Sequence, residues 1–195
     1  MCCSVSPASD WPTLRLLGLS ADIGFAGSLI MVALVMLTVR GHLRVALCWG
    51  SGMLLGLGVV LIIKRLMAHD AELLHFPSGH VALAVTFYGG LAFVLIRDEV
   101  PATPWRPMVF CAILAAIGSA VGTSRVVLTE HGWIDVVGGF LIGVGGLVAA
   151  GNSWGWGPIS RVDRLWLAGA LLVALPFSWL LYPHVDPWIR HLAGV

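Results

Sequence analysis

The sequence predicts an all-α protein: a polytopic membrane helix bundle with about six transmembrane helices, forming one domain over residues 1–195. Three observations carry this expectation. Hydrophobic residues make up 58% of the chain and charged residues 11%, against about 25% charged in soluble chains, and mean hydropathy is +0.94. The apolar residues gather in long continuous stretches with no two-residue alternation, which selects helices over membrane strands. Trp11, Trp105, Trp133, Trp154, Trp156 and Trp188 flank those stretches, where an amphipathic ring settles at the headgroup level.

Six apolar stretches follow in order, each near the roughly 17–25 residues that a helix needs to cross the hydrocarbon core. The first is Leu16–Val39, interrupted by Asp22. The second, Val45–Ile63, contains Gly52 and Gly56 and ends at Lys64 and Arg65. The third, Ser78–Ile96, opens after Pro77, and the fourth is Met108–Leu128. The fifth, Gly132–Ala150, contains Gly139 and Gly143, and the sixth is Leu165–Tyr182. Both glycine pairs have GxxxG spacing, whose natural use is close helix packing. No linker, repeat or low-complexity tract divides the chain, and the chemistry-bearing core lies at about 45–150.

Charge and cysteine usage narrow the function classes. A net charge of +1 offers no basic patch, so nucleic acid is not an expected partner. Cys48 and Cys111 lie within apolar runs, and no paired spacing suggests a disulfide or metal framework. Cys2 and Cys3 read as an ordinary terminal pair, and the first 15 residues lack a signal-peptide apolar region. Arg40, Arg44, Arg97, Arg106, Arg161 and Arg164 fall on one side of the expected bundle; Arg15, Lys64, Arg65, Arg125 and Arg190 fall on the other. Discounting Lys64 and Arg125 as site residues makes the first side cytoplasmic. His69, Asp70, Glu72, His75, His80, Glu130, His131 and Asp135 all gather on the opposite, outward side. Such groups at a membrane face are costly unless they line a wet cavity, so a site is expected there.

Two strings supply its chemistry. Pro77-Ser78-Gly79-His80 starts the third span. Proline suits a helix start and Ser78 can cap it, while the first amides face incoming negative charge and Gly79 lets an anion approach the backbone. Read alone, the string is equally a plain helix cap with an interfacial histidine. In Ser124-Arg125-x5-His131-x3-Asp135, a helix starting near His131 puts His131 and Asp135 on one face. The carboxylate then orients one ring nitrogen and leaves the other to attack, and Arg125 offers a planar cationic fork for phosphate oxygens. Its bland reading is an Arg–Glu–His–Asp polar rim satisfying itself at the interface.

In these two strings the chain resembles the type 2 phosphatidic acid phosphatase (PAP2) superfamily of bacterial membrane lipid-phosphate and polyprenyl-diphosphate phosphatases. The resemblance covers about Lys64 to Asp135 and implies an acid-phosphatase-like helical core. It implies His131 as a nucleophile forming a phosphohistidine, Asp135 as its orienting group, and His80 as the proton donor and acceptor. Lys64, Ser78, Gly79 and Arg125 would bind phosphate. No cofactor or metal is implied, and His69, Glu72 and His75 lack the HExxH spacing of a zinc site. The substrate would be a lipid phosphate or diphosphate, met at the outer face of a bacterial inner membrane, with membrane lipids the other partners; oligomeric state leaves no signature.

The chain departs from the family at its first motif, a lysine followed after six residues by Arg-Pro. Counted from Lys64, those positions hold Ala71 and Glu72. Arg65, His75 and Ser124 are the auxiliary candidates, although Arg65 on a continuing helix points about 100° from Lys64. Two spans precede the lysine here and two follow the last motif, where many relatives have three and one. Two other functions compete with hydrolysis: phosphotransfer to another lipid through the same site, and non-catalytic lipid binding or transport on a degenerate site.

Overall fold

In the computed structural model, the chain is described at residue 16 and over residues 19–67, 76–97, 104–154 and 158–193, apart from the side chains of 23, 152–154 and 181–193. The expectations on Cys2, Cys3, Trp11, Arg15, His69, Asp70, Ala71, Glu72, His75 and Trp156, and on the side chains of Trp154, Trp188 and Arg190, lie outside the described residues. Each apolar stretch carries one long helix, and no strand occurs among the described residues. The helices are α1 (Ile23–Val39), α2 (Leu43–Met67), α3 (Gly79–Ile96), α4 (Arg106–Val127), α5 (Trp133–Trp154) and α6 (Arg161–Ala193). Five helices, α2 to α6, are long and apolar enough to cross a membrane, and α1 is a shorter apolar helix.

The first stretch is interrupted at Asp22, as expected: Leu19 and Ser20 are helical, the chain turns at Ala21 and Asp22, and Asp22 then caps α1, its Oδ1 accepting the Gly24 N–H at 3.0 Å. A carboxylate at that position satisfies an orphan amide and faces the positive end of the helix dipole. At the other end of the chain, α6 runs on past Tyr182 to Ala193, because hydropathy marks where apolar composition stops and not where backbone hydrogen bonding stops.

α3 is the central helix. Residues Val81 to Phe87 are all buried in succession, as expected of a helix covered on every side. α2, α4 and α5 pack on it, α5 also lies along α2, and α1 lies chiefly on α6. Trp49 belongs to this core and not to an interface belt: it is wholly buried, stacks on Phe87 at 5.5 Å, and donates its Nε1–H to the Thr86 carbonyl at 2.9 Å. Trp105 and Trp133, by contrast, stand exposed at helix starts, as their positions predicted. Outward faces carry exposed Leu54, Leu61, Ile134 and Leu172, the coat a lipid-facing bundle presents.

Glycines set the closest approaches, as the GxxxG spacing suggested. A Cβ at Gly52 of α2 would fall 2.8 Å from the Gly146 carbonyl oxygen of α5, and one at Gly146 would fall 2.6 Å from that of Gly52. A Cβ at Gly143 would meet the Ala82 carbonyl at 2.9 Å, and one at Gly139 would overlap the Ser78 carbonyl oxygen. The second contact is positional: it seats the start of α3 directly against α5.

The ends of the bundle differ in chemistry. At one end, Arg40 and His42, in the α1–α2 turn, hold Asp163 at the start of α6. The Arg40 Nη2 and His42 Nε2 lie 2.6 and 3.0 Å from its oxygens. Arg106 donates to the Arg97 carbonyl at the same end. The other end holds the candidate site.

Candidate active site

Five chain segments meet at the end of the bundle opposite Asp163: the turn before α1, the last turn of α2, the start of α3, the end of α4 and the turn into α5. The start of α3 is fixed by a cap and a tertiary bond. Ser78 is fully buried and its Oγ accepts the Val81 N–H at 3.5 Å, while its own N–H donates to the Asp135 carbonyl at 2.9 Å. The expectation that the Ser78 amide points at an anion is therefore corrected: that donor is spent tying α3 to α5. Gly79 is placed differently, for a Cβ there would meet only Val60 Cγ1 at 3.5 Å. Packing within the protein does not demand a glycine at 79.

The second string builds a turn whose geometry presents His131. α4 ends at Leu128 as its C-cap; Thr129 then adopts φ 60°, and the Glu130 N–H returns to the Arg125 carbonyl at 3.0 Å while that of Thr129 returns to Val126 at 3.0 Å. This is the Schellman pattern, with a β-branched residue in the left-handed position where glycine is usual. α5 then starts at Trp133, two residues later than the His131–Asp135 spacing assumed. The pair forms nonetheless: Asp135 Oδ2 accepts the Gly132 N–H at 2.8 Å, half of a capping box, and lies 3.5 Å from His131 Nδ1. The histidine thus meets its carboxylate through the helix entry.

The two imidazoles converge. The His80 and His131 ring centroids lie 6.4 Å apart at 61°. Burial together with the positive charges of His80 and Lys64 lowers the His131 pKa from its ordinary 6.5, against the opposing pull of Asp135. A neutral ring with Nδ1 turned to Asp135 leaves the Nε2 lone pair for attack. Lys64 is half-buried in the last turn of α2 and within electrostatic reach of both Asp135 and His131. The Arg125 side chain is buried and forms an ion pair with Glu130, so part of the self-satisfied polar rim does exist.

Of the auxiliary candidates, Ser124 and Arg65 do not join the group. Ser124 is fully buried and its hydroxyl donates to the Val121 carbonyl of its own helix at 2.7 Å. Arg65 is exposed, and no hydrogen bond or ion pair links it to another site residue among the described residues. The 100° offset from Lys64 accounts for this.

Asp22 is the residue that pattern reading missed. Its Oδ2 stands 3.7 Å from His80 Nε2, so each histidine of the site faces its own carboxylate. The signal was present as a lone acid inside an apolar run, but it belongs to no motif and sits 58 positions from its partner.

Part of this constellation, the segment carrying His80, Arg125, His131 and Asp135, matches a known family. The PAP2 superfamily model matches residues 67–156. That segment is similar to the PAP2 superfamily. Lys64 and Asp22 fall outside the PAP2 match, before its first residue. Phosphatidylglycerophosphatase B of Bacillus subtilis (strain 168) is 34% identical to this chain over 107 residues, 52% of this chain and 52% of that protein. The chain thus spans about half the length of the curated relative it matches. No solved structure matches it. With its run of apolar helices, this chain is an integral membrane protein.

Proposed function

We propose that this chain is a metal-independent phosphatase that hydrolyses a lipid phosphate or diphosphate through a phosphohistidine. The observation that carries this reading is the 6.4 Å convergence of His80 and His131, with His131 Nδ1 backed by Asp135. In the first step the His131 Nε2 lone pair attacks the terminal phosphorus, the bond to its leaving oxygen (the lipid's in a monophosphate, the bridging one in a diphosphate) breaks, and His80 gives its proton to that oxygen. In the second, water attacks the phosphohistidine, His80 takes its proton, the P–N bond breaks and inorganic phosphate leaves. One proton shuttle serves both displacements.

The protein's other task is to stabilise charge on the equatorial oxygens. The Gly79 amide, Arg125 and Lys64 are the groups suited to it, with the anion displacing Glu130 from Arg125. A lipid is favoured over a soluble phosphate because the site sits at the end of the bundle, where a headgroup can reach it while its tail stays in the bilayer. The arginine-rich end, by the positive-inside tendency, is cytoplasmic, so the site faces the outside of a bacterial inner membrane.

The deciding experiment is phosphate release by purified protein in detergent. The panel comprises phosphatidylglycerol phosphate, polyprenyl diphosphate, phosphatidic acid and a lipid A phosphate; the relative's name puts the first of these at the head. Release is expected without an acceptor lipid, insensitive to chelator and blocked by orthovanadate, which can occupy a trigonal-bipyramidal geometry. Activity that vanishes with chelator and returns with metal would overturn the histidine mechanism.

A further inference from the structure

We infer that Asp22 is a positioning residue for His80, holding the ring of the proton-transferring histidine by its Nε2 so that Nδ1 is presented to the leaving oxygen. The inference rests on the phosphatase reading above for its catalytic consequence, but the pairing itself is structural.

Asp22 is built to hold still. Its Oδ1 accepts the Gly24 N–H at 3.0 Å, its carbonyl accepts the Ala26 N–H at 2.7 Å, and its own N–H donates to the Leu19 carbonyl at 2.9 Å. The turn it occupies is pinned to α3: Ala21 is wholly buried among Val81, Ala84 and Val85, and the Ser20 carbonyl accepts the Tyr88 hydroxyl at 2.7 Å. Oδ2 is then aimed at His80 Nε2, 3.7 Å away, in a mostly buried setting where the Asp22 side chain is 14% exposed. The carboxylate has two supports for its negative charge, the start of α1 and the nearby Arg125.

A histidine that both gives and takes a proton needs a defined tautomer and a defined ring plane. A carboxylate at one nitrogen fixes both, because it accepts that nitrogen's proton as a hydrogen bond and stabilises the imidazolium. The ionisable groups around His80 come from four segments: Asp22 from the turn before α1 and His131 from the turn before α5 face its ring, and behind these Arg125 of α4 acts on Asp22 and Lys64 of α2 on His131. Asp22 is the anion directly on the ring among the described residues. His131, with Asp135 behind it, is the other His–carboxylate unit, so proton transfer and nucleophilic attack each have their own orienting acid.

The replacement Asp22→Asn separates this role from helix capping, since Asn caps a helix start about as well as Asp. With ring-15N histidine in detergent-solubilised protein, and His80→Gln to assign the signal, Asp22→Asn should change the His80 Nδ1 and Nε2 shifts that report which nitrogen holds the proton. Thermal stability should stay at the wild-type value. Phosphate release should show kcat reduced by about 10- to 100-fold, reaching at most the low end of what a placed general acid contributes, with KM little changed. In the His80→Gln background the same replacement should cost nothing further.

Unchanged His80 ring shifts in Asp22→Asn would overturn the pairing whatever the turnover. Changed shifts with wild-type or raised kcat would overturn the catalytic role. A wild-type protein that releases no phosphate from any lipid in the panel removes the phosphatase reading, and the ring shifts still decide whether Asp22 sets the His80 tautomer.

Discussion

Gly79 and His131 show how single side chains divide structural from chemical demand. Gly79→Ala introduces a methyl that meets Val60 at an ordinary contact distance of 3.5 Å, so stability should change by no more than about 0.5 kcal/mol. If the 79 amide receives the phosphate, the same change should lower kcat/KM by at least about tenfold; an unaltered kcat/KM would remove Gly79 from the anion pocket. His131→Ala should abolish turnover with insertion and thermal stability preserved, and loss of folding in that variant would mark a structural residue. The depressed His131 pKa sets the direction of the pH response. Attack needs the neutral ring, so the acid limb of kcat/KM should fall below pH 6.5. Between 6.5 and the lower folded value the unfolded chain binds the proton more readily, so His131 makes stability rise with pH across that window and fall on acidification. An acid limb above 6.5 would contradict the burial that depresses this group.

Helix contacts and turns carry their own predictions. Gly139 is where α5 passes the first residue of the α3 entry, and a methyl there overlaps a backbone carbonyl that cannot rotate away. Gly139→Ala should destabilise by about 1–3 kcal/mol and reduce activity with it, since the same contact sets Ser78 and Gly79 against Asp135. Thermal unfolding in detergent reads the first effect, and no change in midpoint would deny the contact. Thr129 is the opposite case: its left-handed φ of 60° is unfavourable for a β-branched residue. Thr129→Gly should therefore be neutral or stabilising by up to about 1 kcal/mol, with the Arg125–His131 turn retained. Arg65→Ala, on the exposed face of α2, should leave turnover unchanged; a tenfold loss would return Arg65 to the site as the substitute for the missing first-motif arginine.

At the scale of the whole molecule, two poles with different charge imply a fixed direction in the membrane. With the native cysteines replaced, a cysteine at exposed Glu130 should be labelled by a membrane-impermeant thiol reagent added outside intact cells. One at exposed Arg161 should be labelled only after lysis. The reverse pattern would put the site on the cytoplasmic side. The Arg40–His42–Asp163 cluster lies at the opposite end from His80 and His131, so its removal should alter stability and leave the kcat of the folded fraction unchanged.

The fold class, the six helices and the strings around His80 and His131 were legible because each depends on local features: apolar run length, a cap, a turn and short spacing. The glycine contacts were legible only as pattern, since GxxxG tells that a neighbour comes close and not which one. Folding decided the rest. It spent the Ser78 amide on Asp135, turned Ser124 back on its own helix, left Arg65 outside and brought Asp22 to His80. Each of these turns on which groups meet across helices, and no spacing along the chain encodes that distance. Sequence by itself determined what chemistry is present at the site end of the bundle, while tertiary packing decided which donors remain for a ligand, because every buried polar group must first find a partner within the bundle.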